Sequence, residues 1–261
     1  MGVQGAALAT VLSQAVGAVW ILHFLTGDKT ILRLRKCNLK LKSTIIMPCL
    51  ALGISSFVML STESILSVSF TSSLSRYGGD LAVGAMTIIT STNQLVLMPL
   101  QGICQGGQPI MSYNYGAKNN DRVRKTFRLL LKVSFGYSII LWAIVMLFPQ
   151  MFAMMFTSDN ALLSFTSQAL RIYMASMFMF GIQIACQMAF NALGKAKDSI
   201  IVAVMRKFIL LIPLIYIMPA IFKANQTNAV YMAEPVADFI AVCFTAILFA
   251  FEFKKAMKEN K

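Results

Sequence analysis

Seven apolar stretches divide the sequence, and they limit its fold more than any other feature. About 20 helical residues are needed to cross the roughly 30 Å hydrocarbon core of a bilayer. Segments of that length lie at approximately residues 3–25, 44–72, 81–103, 129–148, 164–193, 200–222 and 229–251. Only 13% of the residues are charged, against about 25% in soluble domains. The sequence therefore predicts an all-α membrane protein with seven transmembrane helices.

The lysines and arginines fall almost entirely on one set of connections between these stretches. The connections 26–43, 113–132 and 194–198 and the tail 252–261 hold 18 of them, whereas the connections 73–80, 149–163 and 223–228 hold 2. Cytoplasmic loops of membrane proteins carry the excess of Lys and Arg. We therefore predict a cytoplasmic C-terminus and, after seven crossings, an external N-terminus. The same rule accounts for the net charge of +13, so the expected partner is the lipid bilayer and not nucleic acid.

Motifs of soluble enzymes and of metal sites are absent from the sequence. No Walker motif, HExxH or GxSxG occurs, so neither ATP-driven work nor hydrolytic chemistry has support. The five cysteines form no CxxC pair, and four of them lie in or beside apolar stretches, where cysteine behaves as a small hydrophobe. We expect no enzyme activity, no disulfide, no metal site and no cofactor.

Four charged residues inside the predicted spans carry most of the functional information. Glu63 lies in the second span, Arg171 in the fifth, and the last span holds Glu234 and Asp238. The last two are four residues apart and hence on one helical face. At 1.5 Å per residue, the depths of the four from the outer boundary are about 15, 10, 8 and 14 Å. Ionised side chains at such depths usually pair or face water. One arginine cannot neutralise three carboxylates, so at least one carboxylate is expected to bind a proton or Na⁺.

Each of these four residues also has a structural interpretation. Glu234 could cap the last helix, because the proline after it suits a first helical turn. Asp238 could pair with Arg171 or take part in ion coupling, and their similar depths lead us to predict the pair. Glu63 has no basic residue near it in the sequence, which favours a role as the exchangeable, ion-coupling carboxylate.

Other polar residues within the spans are less informative. Arg206 and Lys207 lie about 10 Å from the inner surface, and we expect them to snorkel to it without a coupling role. Uncharged polar groups in a span either hydrogen-bond to a neighbouring helix or line a cavity, and their spacing does not separate these roles. The substrate-cavity candidates are Asn93, Gln94, Gln183, Gln187 and Asn191.

Four further stretches of the sequence are distinctive: GAALATVLSQ (5–14), RYGGDLAVGAM (76–86), PLQGICQGGQPIMSYNYGAKNNDRV (99–123), and ALGKAKDSIIVAVMRKFILLIPL with AEPVAD (192–214 and 233–238). They resemble the multidrug and toxic compound extrusion (MATE) family of antiporters. The third stretch is the most specific, and the resemblance extends over nearly the whole chain. It is similar to the bacterial branch of the family that exports cationic drugs.

The resemblance implies a domain organisation. Members of the family have two six-helix lobes related by pseudo-twofold symmetry. Residues 1–25 resemble the last helix of the first lobe, residues 26–43 the cytoplasmic linker, and residues 44–261 the second six-helix lobe. The first five helices of the family have no counterpart in this sequence, so an N-terminal lobe is an expected partner.

The resemblance also implies a function. Family members move substrates through a cavity between the lobes by alternating access, driven by Na⁺ or H⁺. Some carry a coupling carboxylate on the seventh helix, and Glu63 matches its position, fifteen residues before Gly78. Some carry another midway along the tenth helix, where residues 180–186 here have none. We therefore expect part of a cation-coupled efflux antiporter for small organic cations in the bacterial inner membrane, inactive by itself.

Two other interpretations are left open by the residues. A lipid-linked oligosaccharide flippase of the same superfamily would be expected to have a cavity rich in basic residues. A non-transporting membrane protein, such as a receptor, an assembly partner or the product of a pseudogene, would also fit seven spans with an external N-terminus.

Overall fold

The structure is a computed structural model, and it describes residues 2–27 and 43–259. All regular secondary structure within those residues is helical, so the all-α fold predicted from the apolar stretches is confirmed. The predicted linker at 26–43 lies outside the described residues except at its two ends.

The described residues form nine α-helices, two 3-10 helices and one π-helix. The α-helices are α1 (Gly2–Thr26), α2 (Ser43–Gly116), α3 (Asn120–Leu147), α4 (Pro149–Met154), α5 (Asn160–Tyr173), α6 (Phe180–Ala192), α7 (Ala196–Val204), α8 (Ile212–Ile221) and α9 (Gln226–Glu259). Met177–Met179 and Lys223–Asn225 are 3-10 helices, and Met205–Leu211 is a π-helix. The chain divides into two compact units, Met1–Met59 and Leu60–Lys261.

The first unit holds α1 and the beginning of α2. The apolar part of α1, Ala7–Thr26, has a mean hydropathy of 1.7, and none of it is buried. Large apolar side chains such as Val16, Trp20 and Phe24 are exposed. A helix that is apolar on all sides belongs in lipid or against other membrane helices, so α1 is suited to be a transmembrane helix.

Gly79 divides α2 into two membrane-spanning arms. The part Ser61–Gly116 alone has 56 residues, which is about 84 Å of helix and far more than one crossing needs. Gly79 interrupts it with φ 63° and ψ −162°, a conformation that glycine adopts at little cost because it has no Cβ. The hydroxyl of Thr227 in α9 donates to the carbonyl oxygen of Tyr77 at 2.8 Å, beside the break. The second and third predicted spans are therefore the two arms of one helix.

The remaining predicted spans each correspond to one crossing. α3 and α9 are long and apolar enough to cross a membrane, and so is Lys197–Ile221, which contains α7, the π-helix and α8. α5 and α6 are separated by a bend of 48° and pass the same test of length and apolarity when they are taken together. By length and composition the described residues therefore hold five candidate spans, or six with the bent α5–α6 pair, and the count reaches the predicted seven when the two arms of α2 are counted separately.

The second unit packs around two hydrophobic clusters. Large buried members of the first are Leu74, Ile89, Leu170 and Tyr231, and those of the second are Leu100, Met111, Phe190 and Met257. α9 runs through both, because its buried members belong to the first cluster up to Ala237 and to the second cluster from Phe249 onward. The turn of α9 that follows Ala237 therefore lies between the two clusters.

Three of the four basic segments meet at one end of the second unit. Asn120, at the start of α3, donates from Nδ2 to the carbonyl oxygen of Met257 in α9 at 3.2 Å. Lys195, between α6 and α7, forms an ion pair with Glu252 of α9. The segments 113–132 and 194–198 and the described part of 252–261 therefore share one end of the bundle. That grouping is what a single membrane orientation requires of cytoplasmic segments.

Candidate ion-coupling site

Five charged side chains from three parts of the second unit form neighbouring ion pairs. Arg206 and Lys207 come from the π-helix, Glu234 and Asp238 from α9, and Glu63 from α2. Helix α9 contributes two carboxylates to the same place because residues four apart lie on one helical face. Every one of these residues lies within a membrane-spanning segment, where an ionised group needs a partner or access to water.

Arg206 is held on three sides. Its Nε donates to Oδ1 of Asp238 at 2.6 Å, and its Nη2 donates to Oε1 of Glu234 at 3.1 Å. The central guanidinium carbon lies 4.7 Å from the centre of the Phe180 ring, which is a cation–π contact. The planar fork of arginine suits bridging of this kind. Arg206 is therefore the fixed positive partner of both carboxylates in α9.

The predicted ion pair between Arg171 and Asp238 is wrong. Asp238 is bonded to Arg206, whereas Arg171 is exposed and takes part in none of the ion pairs within the described part of the chain. The buried face of α5 is occupied by residues such as Leu170 and Tyr173. Equal depth placed Arg171 and Asp238 at one level, but depth along a helix does not specify which face a side chain occupies.

Lys207 forms an ion pair with Glu63. The two residues are 144 positions apart, so nothing near Glu63 in the sequence identified its partner. The side chain of Glu63 is 61% exposed and that of Lys207 is 19% exposed. The expectation that Arg206 and Lys207 snorkel to the inner surface is wrong, because both side chains turn to carboxylates of neighbouring helices.

The π-helix presents Arg206 and Lys207 to two different helices. At its end, the backbone N–H of Ile212 donates to the carbonyl oxygen of Lys207, five residues earlier. Pro213, which has no N–H to donate to an α-helical bond, follows at the start of α8. A π-turn holds more residues than an α-turn, so the side chains of Arg206 and Lys207 are separated by a smaller angle about the helix axis than they would be in an α-helix. Such turns are rare and are frequent at functional sites.

The site carries one negative charge in excess when all five groups are ionised, because three carboxylates stand beside two cations. The sequence predicted a surplus of carboxylates in the spans. The prediction set three carboxylates against Arg171 alone, whereas in the structure they stand beside Arg206 and Lys207, so the surplus falls from two to one. An uncompensated charge is unfavourable within a bundle surrounded by hydrocarbon, so this arrangement favours the uptake of one monovalent cation or proton.

A small cavity lies beside the carboxylates of α9. It is lined by Asn93, Tyr173, Met174, Met177, Phe180, Glu234 and Asp238. Its volume of about 10 Å³ is close to the least that holds one water molecule. The cavity is thus far too small for an organic substrate, and its polar lining is Asn93 together with Tyr173 and the two carboxylates.

The uncharged cavity candidates are not brought together. Of the five, Asn93 lines this cavity and the other four do not. Gln183 is buried in α6, and its Oε1 has no hydrogen-bond partner among the described residues. Gln94 and Asn191 are exposed, and Gln187 is partly exposed. Any role of these four in binding a substrate stays a prediction.

Sequence reasoning missed Arg206 and Lys207 as members of the site, and it missed the contacts that Tyr173 and Phe180 supply. One signal was usable for the two cations. They are consecutive basic residues within an otherwise apolar stretch of 23 residues, 200–222, and cations at such a position usually face carboxylates or the bundle interior. The aromatic residues gave no signal, because Tyr and Phe are common throughout the spans.

Comparison with protein families and curated proteins gives consistent matches. The family model MatE matches residues 55–217. The multidrug export protein MepA of Staphylococcus aureus is 25% identical over 227 residues, which cover 85% of this chain and 49% of that protein. MepA of Staphylococcus haemolyticus is 20% identical over 243 residues, which cover 93% and 53%. The chain therefore spans about half the length of the curated relatives it matches.

Solved transporter structures share the fold. The outward-facing conformation of a multidrug resistance MATE family transporter of the MOP superfamily aligns with a TM-score of 0.83 at 20% identity, covering 99% of this chain and 58% of that one. The MATE multidrug transporter DinF-BH, solved as a ligand complex, aligns with a TM-score of 0.78 at 35% identity, covering 95% and 55%. The all-α, MATE-type fold predicted from the resemblance is confirmed, and the division into one six-helix lobe and the helix before it stays a prediction.

Proposed function

Because the chain belongs to the MatE family, whose members are membrane transporters, we propose that it forms part of a cation-coupled efflux antiporter for small organic cations. The chain supplies the second six-helix lobe and the helix that precedes it. A further, N-terminal lobe completes the substrate path, and efflux proceeds by alternating access driven by Na⁺ or H⁺.

The excess negative charge in the candidate site is the observation that carries the coupling role. Glu63, Glu234 and Asp238 stand beside only two cations, Arg206 and Lys207. A coupling site must bind a cation in one state and release it in another. A site within a membrane bundle that has one more carboxylate than cations is suited to bind a cation, because uptake of one monovalent cation makes the site neutral.

The substrate class and the second lobe are inferred from the relatives. The chain matches 49% of a protein named for multidrug export and 55% of a multidrug transporter solved with a bound ligand. The remaining length of those proteins supports a partner lobe for this chain. The cavity beside Glu234 and Asp238 is too small for an organic cation, so the drug path is expected between the lobes.

The proposed orientation has the N-terminus outside and the C-terminus in the cytoplasm of a bacterium. The distribution of 18 and 2 basic residues between the two sets of connections supports it. The meeting of three basic segments at one end of the second unit, through Asn120 and Met257 and through Lys195 and Glu252, gives further support. The protein is accordingly proposed to span the inner membrane.

The charges favour an antiporter over an oligosaccharide flippase. A flippase would be expected to hold a surplus of basic residues for its anionic, lipid-linked substrate. Here the described site holds a surplus of carboxylates, and Arg171, the cation expected in the outer half of a span, is exposed and takes part in none of the site's ion pairs.

An efflux assay tests the proposal. The 261-residue chain expressed alone in a pump-deficient bacterium should export no ethidium above the vector control, because one lobe lines only half of a path between lobes. Co-expression with the N-terminal lobe of a MATE transporter should produce energy-dependent efflux. Ethidium export by the chain alone would contradict the need for a second lobe, and no export by the pair at matched expression would contradict the proposed transport.

A further inference from the structure

We propose that Lys207 is a tethered competitor for the cation site at Glu63. Its ammonium group forms an ion pair with the Glu63 carboxylate until a monovalent cation, either Na⁺ or an organic cation, displaces it. The inference rests on the proposed cation-coupled function. It gives Lys207 a positioning role, since Lys207 sets when the Glu63 carboxylate is available.

The exposure of the three carboxylates distinguishes Glu63 from the other two. The side chain of Glu63 is 61% exposed, whereas those of Glu234 and Asp238 are 9% and 3% exposed. A cation from outside the unit can therefore reach Glu63 without any movement of the packed helices. It cannot reach the carboxylates of α9 in the same way, because Arg206 and the surrounding side chains cover them.

The two cations differ in how firmly they are held. Arg206 bonds two carboxylates and lies over the Phe180 ring, so its release would break three contacts. Lys207 is paired with Glu63 through a compact ammonium group on a flexible four-carbon stem. A lysine of this kind exchanges more readily than a bridging arginine, so Lys207 is the cation that a ligand would displace.

The displaced ammonium group has a favourable place to go. Lys207 is adjacent in the π-helix to Arg206, which contacts both Glu234 and Asp238. When a monovalent cation binds Glu63, the three carboxylates face three positive charges and the site is neutral. The ammonium group of Lys207 can then compensate the one negative charge that Arg206 leaves unpaired on Glu234 and Asp238. Binding of a monovalent cation at Glu63 thus removes the excess negative charge of the site and does not leave the Lys207 ammonium group without a carboxylate partner.

Equilibrium binding to the whole chain in lipid nanodiscs tests this role, with radioactive Na⁺ and labelled tetraphenylphosphonium as two separate probes. Lys207→Gln should raise the affinity for one of them by about three- to fivefold, the value of a partly exposed ion pair of roughly 0.7–1 kcal/mol. The probe whose affinity increases identifies whether the site at Glu63 takes Na⁺ or an organic cation. Lys207→Arg, which keeps the charge, should show no gain. Glu63→Gln alone or with Lys207→Gln should also show none.

The pair between Lys195 and Glu252 supplies a matched control, because it is a second lysine–glutamate pair between two elements of the same unit. Lys195→Gln should leave the affinity for both probes unchanged. An equal gain in Lys195→Gln, or no gain in Lys207→Gln for either probe, would overturn the role of Lys207. Thermal unfolding of each variant establishes that it is folded.

Failure of this inference is distinguishable from failure of the proposed function. If Glu63→Gln weakens binding while Lys207→Gln changes nothing, Glu63 remains the cation site and only the competitor role is lost. If Lys207→Gln raises the affinity equally with and without Glu63, the cation binds elsewhere and both proposals fail. Absence of binding by every variant would also contradict both.

Discussion

Nε of Arg206 lies 2.6 Å from Oδ1 of Asp238, and this contact joins the π-helix to α9 between the two hydrophobic clusters of the second unit. Asp238 is 3% exposed and Arg206 is 17% exposed, so removing either partner leaves a charge with little access to water. The side chain of Glu63, in contrast, is 61% exposed, so loss of Lys207 does not leave its carboxylate enclosed by packed side chains. The stability of the second unit should therefore depend on Arg206 far more than on Lys207.

Arg206→Ala should destabilise the protein by about 3–5 kcal/mol, the usual cost of breaking a buried ion pair by removing one partner. Adding Glu234→Gln and Asp238→Asn should restore part of that loss, because no unpaired charge then remains. Denaturant unfolding in detergent micelles measures both changes. Arg171→Ala is the control, and since Arg171 is exposed its effect should stay within about 0.5 kcal/mol. A larger loss in Arg171→Ala than in Arg206→Ala would reinstate the pair predicted from depth alone.

Gly181→Ala should destabilise the contact between α6 and α3. A Cβ at Gly181 would lie 2.3 Å from the carbonyl oxygen of Ser134, so the two helices would have to separate, at a cost of about 1–3 kcal/mol. Gly136→Ala in α3 is the matched control, because a Cβ there meets nothing within 4 Å. It should be neutral or stabilising by up to about 1 kcal/mol, the helix preference of Ala over Gly. Thermal melts that rank the two variants in the opposite order would exclude this close packing.

Cysteine labelling from outside intact cells should distinguish the two ends of the bundle. In a cysteine-free background, Ala117→Cys and Lys258→Cys should stay unlabelled by an impermeant maleimide, and Ser158→Cys should be labelled. All three positions are exposed and lie beside or at the predicted cytoplasmic and external segments around Asn119, Lys258 and Asp159. Permeabilised cells provide the control, since all three should then react. Labelling of position 117 but not 158 in intact cells would reverse the proposed orientation.

Glu63→Gln should abolish ethidium efflux by the complete two-lobe assembly, because the proposed coupling carboxylate is lost while the fold is kept. Glu252→Gln is the control. Glu252 also pairs with a lysine, but it lies at the basic end of the unit, so efflux should be unchanged. Efflux is measured at matched expression after energisation of the cells. Equal efflux by wild type and Glu63→Gln would assign the coupling site to the other lobe or to α9.

The fold was largely predictable, because a membrane span is specified by local composition. Each of the seven apolar stretches corresponds to a helix, to one arm of α2 or to the broken α5–α6 span. The details that sequence did not predict are those that depend on distant contacts. The composition of Met205–Leu211 does not distinguish a π-helix from an α-helix. The way α2 continues through Gly79 depends on the backbone conformation of that one residue.

The sequence by itself determined that Glu63, Glu234 and Asp238 lie within apolar stretches together with Arg171, Arg206 and Lys207, because this follows from position along the chain. Tertiary structure alone decided the partners. Arg206, and not Arg171, meets Asp238, and Lys207 meets Glu63 across 144 positions. Depth along a helix can be counted from residues, but the direction of a side chain about the helix axis depends on how the helix packs. That direction determines which carboxylates are covered, Glu234 and Asp238, and which stays exposed, Glu63.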